Sequence, residues 1–167
     1  MVLNKSLFSS NNDDWETPNT LFNSIDRQYH FVADLAASPK NAKCKQFFAK
    51  SDNALLQDWS QYSGPKWLNP PYGRQIGKWV KKAYESSKEN GDPIVMLLPA
   101  RTDTRYWHDY IFGKASVEFI KGRIKFEHDG ASVGTAPFPS AIIVYNSKSG
   151  CHIGVFGSTG KENEEND

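Results

Sequence analysis

The stretch Trp67-Leu68-Asn69-Pro70-Pro71-Tyr72-Gly73 constrains this chain more than any other. Lys66 to Leu68 reads as the end of a short buried strand. Pro70 and Pro71 must stop it, because a proline ring fixes φ and leaves no N–H for a ladder. Asn69 stands before a proline and is held extended. The expected result is a stiff loop at a strand's carboxyl end. It aims an amide side chain, a free carbonyl and an aromatic ring into one small space.

That geometry matches a particular chemical need. An aromatic amine is a poor nucleophile, because its lone pair is delocalised into the ring. If the Asn69 side-chain oxygen and the Pro70 carbonyl each accept one of its hydrogens, the nitrogen turns toward a tetrahedral form. Its lone pair then points at an incoming electrophile. Tyr72 would stack on the flat ring, a contact worth roughly 1–3 kcal/mol per base. The plain alternative is a strand-ending turn in which Tyr72 only packs.

Periodicity along the chain supplies the frame. Thr17 reads as a helix N-cap with Pro18 in the first helical position, and Leu21, Phe22 and Ile25 follow at helical spacing. Phe31 to Leu35 reads as a first strand and Gln46 to Ala49 as a second; residues 39 to 45 carry no pattern that places them. Gln75 to Asn90 is the clearest helix. Ile76, Val80, Ala83, Tyr84 and Ser87 share one face, the lysines lie on the other, and Gly91 ends it. Those lysines read as a solvated face before a nucleic-acid contact.

Ile94 to Leu98 is a continuous apolar run, as in a strand covered on both faces of a parallel sheet. Thr104 to Phe112 reads as a helix. Ser116 to Ile120 and Arg123 to Phe126 read as strands around Lys121-Gly122, residues 127 to 139 as a long loop, Ala141 to Tyr145 as a buried strand, and His152 to Phe156 as an edge strand. Strands alternating with helices argue for an α/β sheet with parallel strands. The late hairpin-like strands suggest an antiparallel edge.

A length of 167 residues fits one domain. The net charge of +1 does not by itself ask for nucleic acid, so any DNA-facing surface must be a local patch. Cys44 and Cys151 form neither a disulfide framework nor a metal spacing, and His30, His108, His128 and His152 are scattered. No metal site is expected. The first residues lack a long apolar run, so neither a signal peptide nor a membrane span is expected, and the default setting is cytoplasmic.

Asn69-Pro70-Pro71-Tyr72 resembles the catalytic loop of amino-methyltransferases that use S-adenosylmethionine. The wider pattern resembles the small phage-type DNA N-6-adenine methyltransferases. Trp15-Glu16-Thr17-Pro18, Asp34-Leu35-Ala36-Ala37-Ser38, Asp58-Trp59 and Ala136-Pro137-Phe138-Pro139-Ser140 carry that likeness, in this order over residues 14 to about 146. The resemblance implies a Rossmann-like class I methyltransferase sheet, mostly parallel with an antiparallel edge. Residues 14–160 would be a single methyltransferase domain, between a flexible arm at 1–13 and a disordered acidic tail at 161–167. The setting would be a bacterial or phage-infected host cell.

The resemblance also implies roles. Asn69, Pro70, Pro71 and Tyr72 would be catalytic. Trp15 would belong to the cofactor site, Thr17 and Pro18 would touch the methionine part of S-adenosylmethionine, and Asp34 its amino group. Asp52 and Asn53 would take the ribose hydroxyls. Asp58 would bind the cofactor's adenine amine or brace the loop before the catalytic strand. Ala36 and Ser38 stand where many methyltransferases carry Gly-x-Gly, and small residues still let a ligand approach the backbone. Read without the resemblance, Thr17 is an ordinary cap and Asp52-Asn53 ordinary turn chemistry. Asp34 is costly behind Phe31-Val32-Ala33 unless it has partners.

An adenine inside a duplex is out of reach, so the substrate would be double-stranded DNA with the base flipped out. Arg101 and Arg105 follow the run ending at Pro99, which puts them on the active rim for phosphate or base contact; a structural salt bridge is the other reading. Lys121, Arg123 and Lys125 alternate, so they share one strand face and suit phosphate; protection of an exposed edge strand is the alternative. By resemblance, Phe126 and Phe138 would pack against the flipped base's edge, and residues 127 to 139 would form a lid. A monomer or weak dimer is expected. The loop alone also suits cytosine N-4, RNA adenine or protein glutamine as substrate, and a catalytically silent nucleic-acid-binding module is the rival of a different class.

Overall fold

The computed structural model describes residues 14–157. The arm at 1–13 and the tail at 161–167 lie outside the described residues, as do residues 158–160 of the expected domain.

Among the described residues nine strands and three α-helices follow in chain order. They are α1 (Asn19–Tyr29), β1 (Ala33–Asp34), β2 (Gln46–Phe47), β3 (Lys66–Leu68), α2 (Ile76–Asn90), β4 (Ile94–Pro99), α3 (Arg105–Tyr110), β5 (Ser116–Phe119), β6 (Lys125–His128), β7 (Ala131–Thr135), β8 (Ser140–Tyr145) and β9 (Ile153–Val155), with short 3-10 turns between β2 and β3. Seven strands form one sheet in the order β2-β1-β3-β4-β8-β5-β9.

The two long apolar runs make the centre. Every residue of β4 and β8 is buried, and the strands pair antiparallel from Ile94 opposite Tyr145 to Pro99 opposite Ser140. Burial on both faces is what removed polar alternation from their sequences. The strands β2, β1, β3 and β4 run parallel to one another, and β9 runs parallel to β5. Only β8 runs against its neighbours. The sheet is therefore mostly parallel, but its antiparallel strand is interior; the expected antiparallel edge is corrected, since both edge pairs, β2 with β1 and β9 with β5, are parallel.

Further expectations change. The loop expected over 127–139 contains all of β7 and the last two residues of β6, which pair as a second, two-stranded sheet. Asp129 and Gly130 turn between the strands with φ of 50° and 77°. Both centres of a tight hairpin turn need positive φ, and Asp-Gly supplies it. The first strand shrinks from Phe31–Leu35 to Ala33–Asp34. Helix α1 starts at Asn19, with Pro18 as its extended N-cap and no capping side chain, so Thr17 is not the cap. Gly64, at φ 117°, brings the backbone against Val32, whose Cγ1 lies 3.0 Å from where a Cβ would stand. No described helix is long and apolar enough to cross a membrane.

Candidate active site

Strand β1 pairs with β2 on one side and β3 on the other, so the chain changes direction across the sheet between β1 and β3. Ligands of open parallel sheets sit outside the carboxyl ends at such a point. Asp34 ends β1 and Asn69 follows the last residue of β3. Both line a cavity of about 530 Å³.

Asn69 has a defined orientation. Its Nδ2 donates to the main-chain carbonyl of Trp15. Its Oδ1 is buried and has no hydrogen-bond partner among the described residues. A buried acceptor left unpaired costs about 1–3 kcal/mol, and Asn69 stands on the cavity wall.

Asp34 is 3% exposed. Its Oδ2 accepts from the Lys43 N–H at 3.0 Å and its Oδ1 from the Ala36 N–H at 3.3 Å. Burial pushes its carboxyl up to about 6, against those two N–H groups and the Lys43 charge, which pull it down. Burial likewise lowers the Lys43 ammonium, against the attraction of Glu127, Asp34 and Glu16. Thr17 is 2% exposed and its Oγ1 has no partner among the described residues.

On the expected methyl-donor side, Trp15, Thr17, Ala36, Ser38 and Asn53 line the cavity with Asp34. Pro70 and Pro71 line it with Asn69. Pro18, Asp52 and Asp58 are not on its wall. Pro18 is spent on starting α1. The exposed Asp52 turns back to accept from the Ala49 N–H at 2.7 Å, which is turn chemistry. The exposed Asp58 accepts from the Ser60 N–H at 2.8 Å and from its hydroxyl at 2.6 Å, capping the short turn at Trp59–Gln61. The Ser60 bonds hold its carboxyl below the usual range.

Tyr72 departs from the expected stacking platform. It is 7% exposed and off the cavity wall. Its ring stands edge-on to Phe126 and Phe138, and both phenylalanines also meet the Trp15 ring at 5.4 Å. Four rings from distant parts of the chain thus close on one another beside Asn69.

Arg101 and Arg105 are exposed after β4, and the Arg101 guanidinium lies 5.7 Å from the Phe138 ring centre. Lys121, Arg123 and Lys125 are exposed while Ile124 and Phe126 are buried. Only Lys125 lies in a strand, so the basic side is a turn leading into β6 rather than one strand face.

Several wall residues had no sequence expectation. Asn41 and Lys43 come from the stretch without periodic signal, where the Ser38 N–H donates to Asn41 Oδ1 at 2.7 Å and the Asn41 N–H to Ser38 Oγ at 3.3 Å. Ser-x-x-Asn marks a turn in sequence, but not which way it faces. Trp79 reaches the wall from α2, and its ring stacks on Trp59. Among the described residues no group of three or more His, Cys, Asp or Glu is arranged to hold a metal ion.

Comparison with known proteins adds a family. The family model described as DNA N-6-adenine-methyltransferase (Dam) matches residues 5–164. The DNA N-6-adenine-methyltransferase of Escherichia phage T1 is 33% identical over 119 residues, which are 71% of this chain and 49% of that protein. The chain therefore spans about half the length of that relative. A protein of Escherichia coli (strain K12) named "Putative methyltransferase YfdM" is 40% identical over 65 residues, 36% of this chain and 71% of that protein.

Proposed function

Because this chain belongs to the DNA N-6-adenine-methyltransferase (Dam) family, we propose that it methylates the exocyclic N-6 amine of an adenine flipped out of double-stranded DNA, using S-adenosylmethionine. The observation that carries this reading is Asn69 Oδ1, a buried acceptor without a partner among the described residues, on a cavity wall at the end of β3. The sheet order, with the cavity at its switch point, supports a Rossmann-like methyltransferase core.

The residues present fit the methyl donor. The cavity, about 530 Å³, lies inside the range of roughly 300–1,000 Å³ usual for small-molecule sites. Asp34 offers a buried carboxylate to an ammonium, Thr17 Oγ1 a hydroxyl without a partner among the described residues, and Asn53 an amide to ribose hydroxyls. The bound donor supplies an electrophilic methyl group on a sulfonium sulfur.

The chain's own part is positioning. Asn69 Oδ1 and the Pro70 carbonyl accept the two amine hydrogens and turn the nitrogen lone pair outward. Once the nitrogen is alkylated its proton is acidic and passes to water, so no strong base is required. Rate then comes from fixed geometry and preorganised acceptors. The rings of Trp15, Tyr72, Phe126 and Phe138 pack edge-on beside Asn69 and give the adenine an apolar flank. Arg101, Arg105, Lys121, Arg123 and Lys125 are exposed and suit phosphate.

The test is transfer of tritiated methyl from S-adenosylmethionine to duplex DNA, RNA and protein, with the labelled product identified by chromatography. Label in N6-methyladenine from DNA is expected. Label in N4-methylcytosine, RNA or glutamine would move the substrate. No label, with DNA still bound, would replace the enzyme by a binding module.

A further inference from the structure

An amide side chain has two unlike ends, and only the oxygen can accept a hydrogen from a substrate amine. In Asn69 the choice of end is made by a residue 54 positions away: Nδ2 donates to the Trp15 carbonyl. A carbonyl oxygen has no hydrogen to give, so it meets only the –NH₂ end. Oδ1 is thereby turned away from Trp15, and it is the end without a partner among the described residues.

The Trp15 backbone is itself held. Glu16 forms an isolated antiparallel bridge with Glu127 of β6: its N–H donates to the Glu127 carbonyl at 3.2 Å and its carbonyl accepts from the Glu127 N–H at 3.0 Å. Glu16 Oε1 also accepts from the Asp129 N–H at 3.3 Å and from Asn41 Nδ2 at 3.4 Å. One extended dipeptide thus touches the reaction loop, the β6–β7 hairpin and the cavity wall.

We propose that Trp15-Glu16 is a positioning strap, a role that rests on reading Asn69 as the acceptor for the substrate amine. The Trp15 carbonyl sets which end of the Asn69 amide faces the substrate, and the Glu16–Glu127 bridge keeps that carbonyl in place. The hairpin beside the basic turn is thereby joined by hydrogen bonds to the accepting oxygen.

Asn69→Asp tests the strap. Ionised, the new carboxyl turns an oxygen with nothing to donate toward the Trp15 carbonyl. Protonated, its O–H donates to Trp15 and its C=O stands where Oδ1 stood. Followed by carbon-13 NMR in the folded protein without ligand, this carboxyl should titrate about two or more pH units above the ~3.9 of a free aspartate. At saturating S-adenosylmethionine, methyl transfer by the variant should rise as pH falls toward that midpoint, while the wild type shows no such rise. A midpoint near ~3.9, or a wild-type pH profile, overturns the strap.

Burial alone also raises a carboxyl, so a second variant is needed. Glu16→Pro removes the N–H that donates to Glu127. Added to Asn69→Asp, it should bring the midpoint down by about one unit; an unmoved midpoint assigns the shift to burial and overturns the strap. Wild-type methylation with an ordinary midpoint removes the strap and leaves the reaction standing. A raised midpoint that Glu16→Pro lowers, without wild-type methylation, keeps the orientation and removes the reaction.

Discussion

The Tyr72 hydroxyl donates to the main-chain carbonyl of Leu97 at 2.8 Å, tying the loop after β3 to β4 at the centre of the sheet. Its ring meets Phe138 at 5.7 Å and Phe126 at 6.0 Å. Burial, with a smaller contribution from Tyr106, keeps the phenol neutral by holding its pKa well above the ordinary value. An aromatic residue that the sequence offers to a base is thus part of the core.

Tyr72 variants should therefore act on stability first. Tyr72→Ala removes a buried ring and should cost about 3–5 kcal/mol, as large truncations in cores do. Tyr72→Phe keeps the ring and loses one hydrogen bond, for about 1 kcal/mol. Urea unfolding checks both, and a wild-type midpoint for Tyr72→Ala would show that the ring packs against nothing of consequence.

Asn69→Ala should separate chemistry from folding. The side chain is only half-buried and makes one hydrogen bond among the described residues, while its Oδ1 is unpaired there, so its loss should cost about 1 kcal/mol or less. Methyl transfer should fall by about 10²-fold or more, the usual effect of removing one preorganised polar group. Single-turnover transfer to duplex DNA measures it. Unchanged turnover would mean that Oδ1 is not the acceptor.

Asp34 should give cofactor binding a pH dependence of known sign. Its carboxyl is raised to about 6 from 3.8 by burial. The folded protein thus holds a proton there that the unfolded chain has already lost between those values. The ligand-free fold gains stability as pH falls through that window and loses it as pH rises through about 6. Pairing with an ammonium needs the ionised form, so binding runs the opposite way. The Kd for S-adenosylhomocysteine should rise about tenfold from about pH 7 to about pH 5. Calorimetry across that range should show the trend in the wild type, and weak, flat binding in Asp34→Ala.

The basic turn should matter for DNA and not for the fold. Lys121, Arg123 and Lys125 are all exposed, so replacing them with Ala should leave the unfolding midpoint within about 0.5 kcal/mol per site. If each meets a phosphate, the slope of log affinity against log salt should flatten by about 0.9 per residue removed. Titration of a fluorescent duplex at several salt concentrations reads the slope, and an unaltered slope would return these residues to simple surface duty.

Legibility followed the range of each signal. The proline pair announced the end of β3 and the loop beyond it, and the apolar runs announced β4 and β8, because these patterns act on their own neighbours. Asp34 behind an apolar run announced a buried carboxylate with partners, and the structure supplies them from Ala36 and Lys43. The hairpin was readable too: Asp129-Gly130 is a tight-turn signal, masked by the glycines and prolines around it, which favour a loop. Asp52 and Asp58 show the opposite hazard. An acid after a strand can satisfy a nearby turn as readily as a ligand, and the letters are the same in both cases.

By itself the chain's order of residues determined a parallel-rich α/β sheet, a stiff Asn-Pro-Pro-Tyr corner at a strand end, and a buried acid on the same rim. Each follows from sterics or solvation within a few residues. Only the tertiary structure decided that the Trp15 carbonyl orients the Asn69 amide, that Tyr72 points into the core, and that Glu16 bridges to Glu127. Those contacts join segments far apart in the chain. They exist only once the strand order has brought the segments together, and no local preference of the backbone encodes that order.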